Sequence, residues 1–219
     1  GLVPTLIDDG KVIIESNDII THLENKFPTP SLIPEGCQNE VEEMLKFEDD
    51  LHMDFRALTL RFFVPSAIVQ RSDEQLTHYT EAGSGQVQGK VDTHKADEAA
   101  FWQDMKDHRG VPEFRTKAAV TAMREAFENY ETQLAKHAYL LGDALSVLDI
   151  AWYVYANRLV NMGYPLATLH PHVAAWFSDI HKRPDFHREV TTPLPLRVLS
   201  RGLQTVHRLK GKHIGAYLR

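Results

Sequence analysis

The chain opens with two short aliphatic runs, Leu6-Ile7 and Val12-Ile13-Ile14, separated by Asp8-Asp9-Gly10. Asp and Gly tolerate the positive φ of a tight turn, so residues 3–14 read as a β-hairpin. Neither run alternates strictly between apolar and polar, so both faces of the ribbon ask for cover. An isolated hairpin is marginal in water, and further strands and a helix are expected ahead of it. Next, Ile19, Ile20 and Leu23 fall at helical spacing, with Ser16 placed to cap, until Phe27-Pro28-Thr29-Pro30 ends the run. Residues 28–38 hold three prolines and one glycine with little periodicity, the pattern of an exposed linker, and put a boundary near Asn39.

Beyond that boundary the pattern is helical only. Val41, Met44, Leu45, Glu48, Leu51, His52, Phe55 and Leu58 follow three-and-four spacing in one stretch that reaches about Phe63. Residues 66–112 break the rhythm with a polar run from Thr80 to Gln86 and one short helical candidate at Asp97 to Lys106, and read as a long insertion. Val120, Met123, Phe127, Tyr130 and Leu134 then share one face of a helix over about 113–136. Ser146-Val147-Leu148-Asp149 has the form of a capping box ahead of Ile150-Ala151-Trp152-Tyr153-Val154-Tyr155, which is too apolar all round for a surface and predicts a central helix. Val173, Trp176, Phe177 and Ile180 mark one more helix, ending near Arg183-Pro184.

Composition narrows the class of molecule. At 219 residues, 43% hydrophobic and 25% charged, the chain can bury a sizeable core. No apolar run approaches the roughly 18 residues that span a bilayer, and the one cysteine, Cys37, forms no internal disulfide or multi-cysteine zinc motif; a cytoplasmic setting fits. The formal charge of −6 argues against a general nucleic-acid binder. The charge is uneven, however: residues 190–219 carry six Lys or Arg and no Asp or Glu, which leaves 18 basic against 30 acidic side chains elsewhere. Such a tail either packs on its own acidic body or meets an anionic partner or membrane surface.

Taken in order, Val3-Pro4, the Asp-Gly hairpin, Glu15-Ser16 opening a helix, Leu23-Glu24-Asn25-Lys26-Phe27-Pro28, the proline linker, the helical region and Gly142-Asp143-Ala144-Leu145-Ser146-Val147-Leu148-Asp149 resemble the soluble glutathione transferase superfamily. The spacing around Arg109-Gly110-Val111-Pro112 is most similar to its bacterial glutathione-dependent β-etherase branch. The resemblance implies an α+β thioredoxin-like domain, truncated at the amino end, followed by an all-α helical bundle. It divides the chain into thioredoxin-like residues 1–30, a linker at 31–38, a helical domain at 39–190 with the insertion at about 66–112, and a basic tail at 191–219. It also implies that the family's catalytic Tyr, Ser or Cys belongs ahead of Gly1, so no catalytic residue is assigned.

The same resemblance implies glutathione as cofactor. Val3 and Pro4 match the cis-proline position that pairs with the peptide-like middle of glutathione by strand addition. Glu15 and Ser16 match the pair that holds its γ-glutamyl end, with Ser16 at the positive end of a helix where an anion is favoured. A plain cap and an ordinary strand end are the alternatives for these two. A second-substrate pocket is implied between the domains, lined by Leu51, Phe55 and Arg56, with Trp152 or Tyr155 beside them; at helical spacing such residues also suit plain core. Leu196, Leu199, Leu203 and Val206 share one helical face of the tail, which could close that pocket as a lid or lie elsewhere as a strap.

Other chemistry is set aside. Ser146 and Asp149 serve a helix start better than a Ser/His/Asp site. The histidines show neither HExxH nor a cluster with cysteine, so no metal is expected, and Cys37 reads as inert. The leading expectation is a glutathione-dependent transferase or lyase, a homodimer acting on a small apolar electrophile such as an aryl ether. The alternative is a non-catalytic binding or interaction protein of the same fold that uses its insertion and tail for a partner.

Overall fold

The computed structural model describes residues 4–65, 69–82, 86–87, 90–91 and 93–218. Strands β1 (Thr5–Asp8) and β2 (Lys11–Ile14) pair antiparallel with Asp8 opposite Lys11. Asp9 and Gly10, at φ 50° and 80°, form the two-residue turn, and positive φ at both positions matches the twist of the flanking strands. Helix α1 (Ser16–Lys26) packs on this ribbon and buries Ile13. The opposite face is not covered as the sequence pattern asks: Ile7 and Val12, a directly opposed pair, are exposed. Charge clamps the turn to the helix, with Asp8 accepting from His22 at 2.6 Å and from Lys26 at 2.6 Å.

The expected single stretch from Val41 to Phe63 is two helices, α2 (Gln38–Asp50) and α3 (His52–Phe62), which meet at the buried Leu51. In the 66–112 region, α4 (Asp73–Glu81), a two-residue ladder of β3 (Gln86–Val87) and β4 (Lys90–Val91), and α5 (Thr93–Asp107) follow. Helix α4 escaped the sequence reading although its signal is present. Ser72 Oγ accepts the Gln75 N–H at 3.2 Å, and Gln75 Oε1 accepts the Ser72 N–H at 2.9 Å, a reciprocal capping box. This excursion has its own small core, in which Leu76, Phe101, Trp102 and Met105 pack on Ala57 and Leu60 of α3. Arg56 of α3 and Glu98 of α5 pair, and Tyr79 of α4 donates to the same carboxylate.

Helices α6 (Glu113–Leu134) and α7 (Val147–Asn161) form the centre of the main core. Trp152 is wholly buried and meets Phe47, Phe127, Tyr130 and Tyr155 at centroid distances of 4.7 to 6.2 Å. A single turn, α8 (Leu166–Leu169), precedes α9 (Pro171–His181) and α10 (Pro184–Val190). The tail is helix α11 (Leu194–Leu209) and a 3-10 turn at Ile214–Leu218. It is fastened at the far end of the bundle: Gln204 donates to the Asn161 carbonyl at the end of α7, Lys212 pairs with Glu113 at 2.7 Å, and Tyr217 meets Arg61 at 3.2 Å.

Asp149 ties these parts together. Its fully buried carboxylate accepts the Ser146 N–H at 2.8 Å and Ser146 Oγ–H at 2.6 Å, which starts α7. It also accepts the Leu140 N–H at 3.0 Å from the preceding loop and the Trp176 indole N–H at 2.8 Å from α9. Hydrogen bonds to a buried charge contribute more than neutral ones, and removing the acceptor leaves several donors unpaired. Asp149→Ala should cost about 3 kcal/mol or more. For a chain of this size that lowers Tm by roughly 6 to 12 °C, read from thermal melts followed by circular dichroism.

Candidate functional site

The hairpin, α1 and the linker are held against the bundle by two short connections. Glu24 of α1 accepts the Leu32 and Ile33 N–H groups at 3.0 and 3.3 Å and also the Ser31 hydroxyl. The Leu32 carbonyl in turn accepts the Val147 N–H at 2.9 Å, so the linker is anchored on the first residue of α7. Between the anchored elements lies a cavity of about 700 Å³. Its walls are one face of α1 (Ser16, Ile20, Leu23), Leu45 and Glu48 of α2, and Ile150, Ala151, Val154 and Tyr155 of α7. The size and mostly apolar lining with few polar groups suit a small organic molecule.

Where α1 begins, the backbone is unusual. Glu15 precedes the helix with φ 69° and ψ 130°, a conformation that costs a non-glycine residue of order 1–3 kcal/mol, and its carbonyl accepts the Ile19 N–H at 3.0 Å. The expectation of Ser16 as the helix cap is corrected here: Glu15 occupies the cap position, without a side-chain cap bond, and Ser16 is the first helical residue. Its hydroxyl is thereby released from capping, and Ser16 stands on the cavity wall at the positive end of α1. Pro4 is exposed beside β1, and Val3 lies outside the described residues, as does the geometry of the Val3–Pro4 bond.

Leu51, Phe55 and Arg56 do not line this cavity. Leu51 and Phe55 point into the main core, where the Phe55 ring meets Tyr155 at a tilt with centroids 4.2 Å apart, and Arg56 is turned the other way to Glu98 and to His52 at 3.1 Å. The helical periodicity that made them candidates is that of the core-facing stripe. Trp152 is likewise core, whereas Tyr155 reaches the cavity. The tail does not close it either: α11 packs across the bundle near Phe62 and Met162, with Gln204 and His207 lining a separate, smaller recess. Wall residues Val147, Ile150, Ala151 and Val154 were missed, although they form a second apolar stripe at i, i+3, i+4 and i+7 beside the Leu148-Trp152-Tyr155 stripe.

Glu48 and Tyr155 supply the cavity's main polar pair. Burial pushes both the Glu48 carboxyl and the Tyr155 phenol above their ordinary values, and the Tyr155 hydroxyl lies 3.4 Å from the Glu48 carbonyl oxygen. Tyr155 therefore stays protonated and remains a hydrogen-bond donor. Among the described residues no group of three or more His, Cys, Asp or Glu side chains is arranged to hold a metal ion. Nor is any described helix long and apolar enough to cross a membrane.

The raised Glu48 pKa has a signed consequence. Between the unfolded carboxylate value and the higher folded one, the native state binds more protons than the unfolded chain, so stability falls as pH rises through that window. Glu48→Gln should therefore melt above the parent protein at about pH 7, with the difference closing below about pH 4, where Glu48 is protonated in both states. Melts at the two pH values check this, and an equal difference at both would refute it.

Comparisons with known proteins agree on one family. A model of the glutathione S-transferase N-terminal domain matches residues 1–31, and one of the glutathione S-transferase C-terminal domain matches residues 101–179. Protein LigF of Sphingobium sp. (strain NBRC 103272 / SYK-6) is 30% identical over 194 residues, covering 84% of this chain and 71% of that protein. Glutathione S-transferase F9 of Arabidopsis thaliana is 24% identical over 200 residues, covering 87% and 74%. The crystal structure of beta-etherase LigF from Sphingobium sp. strain SYK-6 superposes with a TM-score of 0.64 at 23% sequence identity, over 85% of this chain and 76% of that one.

Proposed function

The chain belongs to the glutathione S-transferase family, and from that membership we propose that the cavity between α1, α2 and α7 receives the electrophile of a glutathione-dependent transferase. One observation carries the proposal: Ser16, which matches the family's γ-glutamyl contact, stands on the wall of the same cavity whose far side is the apolar stripe of α7. Glutathione held by Val3, Pro4, Glu15 and Ser16 would lie beside that apolar wall. The strained Glu15 backbone supports the assignment, because such conformations gather where a ligand is gripped. The first-turn N–H groups and dipole of α1 favour the γ-glutamyl carboxylate, and the Glu15 carboxylate faces the neighbouring ammonium.

The chemistry proposed is nucleophilic attack by the glutathione sulfur, with the protein supplying orientation and a dry pocket. Similarity to LigF, a beta-etherase, supports an ether as the electrophile, and the resemblance to the glutathione-dependent β-etherase branch makes an aryl ether the form we propose. In that reaction the thiolate attacks the carbon bearing the ether oxygen. A C–S bond forms as the C–O bond breaks, and an aryloxide leaves and is protonated from solvent. Tyr155 is placed to donate a hydrogen bond to the ether oxygen of such a substrate, and the Glu48 carboxylate to accept one from a substrate hydroxyl. A homodimer in the cytoplasm is proposed on family grounds.

Calorimetric titration with glutathione and S-hexylglutathione tests the reading. Both should bind, the hexyl conjugate roughly tenfold or more tightly because its chain enters the apolar cavity. Ser16→Ala should weaken both by about tenfold. Ile150→Asp, at a wall position partly open to solvent, should remove the hexyl advantage and leave glutathione itself unaffected. Absence of binding by either ligand would overturn the assignment.

A further inference from the structure

The carboxyl-terminal helix presents a surface that the transferase reading leaves unused. Along α11 the inward face carries Leu196, Ser200, Leu203, Gln204 and His207, all at least partly buried against the bundle. The expected shared face of Leu196, Leu199, Leu203 and Val206 straddles the boundary: Leu196 and Leu203 turn in, while Leu199 and Val206 turn out. At 100° per residue the outward half carries Leu194, Val198, Leu199, Val206 and Leu209, with Gly202 and Thr205 between them. Leu194, Val198 and Leu209 are 61%, 62% and 84% exposed. One flank of the stripe carries Arg197 and Arg201, which form no ion pair with any described residue, while Arg208 on the same side turns its guanidinium to the recess beside Gly163. No acidic side chain occurs anywhere in residues 190–219.

We propose that α11 is an interfacial helix that docks the protein on an anionic lipid surface, its aliphatic stripe entering the headgroup boundary and its flanking arginines meeting the lipid phosphates. The form of the surface favours this occupant. The face runs the length of α11, about 24 Å, and its large exposed apolar side chains are all aliphatic, whereas a folded protein partner is ordinarily met by aromatic anchors in pockets. Apolar area on one face with arginines at its edge is the arrangement by which helices lie in a bilayer interface without crossing it. The acidic remainder of the chain, repelled by the same lipids, leaves α11 as the side that turns toward the membrane.

Sedimentation with vesicles decides the matter. The protein should pellet with vesicles of phosphatidylcholine containing about 30% phosphatidylglycerol and at least tenfold less with phosphatidylcholine alone, and added salt should release it. Arg197→Gln with Arg201→Gln should lower the partition coefficient roughly thirtyfold at about a factor of five per arginine. Val198→Asp with Leu209→Asp should abolish binding. All four side chains face solvent, so circular dichroism and Tm should be unchanged in both variants. The proposal fails if the parent protein stays in the supernatant with both vesicle types, or if the aspartate variant pellets like the parent. It fails equally if size exclusion shows that the aspartate variant converts a dimer to a monomer, which would assign the stripe to a second copy. Glutathione binding measured on the same samples reports separately on the transferase reading.

Discussion

A single buried carboxylate organises the helical part of this protein. Asp149 starts the central helix through Ser146, holds the loop before it through Leu140 and fixes the helix beyond it through Trp176. Desolvating a carboxylate is costly and its set of donors offsets the cost, so the three segments are coupled through this one side chain. Once α7 is fixed, everything at the cavity follows. Its first N–H anchors the linker at Leu32, the linker holds α1 through Glu24, and the outer stripe of α7 becomes the cavity wall.

That chain of dependence explains why the cavity lies between parts that are distant in sequence. Neither α1 nor α7 encloses space alone. Ser16 and Ile20 come from the amino end, and Ile150, Ala151 and Val154 from the far side of the bundle, joined by two hydrogen-bonded contacts. The excursion between α3 and α6 is built on different terms. It carries a second small core and an Arg56–Glu98–Tyr79 cluster, and it joins the main core through the opposite face of α3.

Charge is divided as sharply as packing. Acidic groups dominate the body, while the tail is basic, fastened by Lys212 and Gln204 and open along its outer face. The proposed lipid docking of α11 and the proposed transferase chemistry share one physical logic, because an apolar electrophile concentrates where lipids are.

Much of this was legible in the residues. The Asp-Gly turn fixes the hairpin because few residues accept positive φ at two successive positions, and the Ser146–Asp149 box marks α7 because a side chain three residues on can reach the helix start. Glu15 and Ser16 stand together at the start of α1 because they are neighbours in the chain, and Ser16 lies on the cavity wall. Three features were decided only by the tertiary structure. Periodicity identifies an apolar stripe and is silent on its neighbour, so Leu51 and Phe55 entered the core while Ile150 and Val154, on a second stripe, faced the cavity. Arg56 turned toward Glu98, forty-two positions away, a partner no local pattern names. The tail helix packed across the far end of the bundle with most of its apolar positions outward, because a helix rotates to satisfy all its contacts together and no spacing rule fixes that angle.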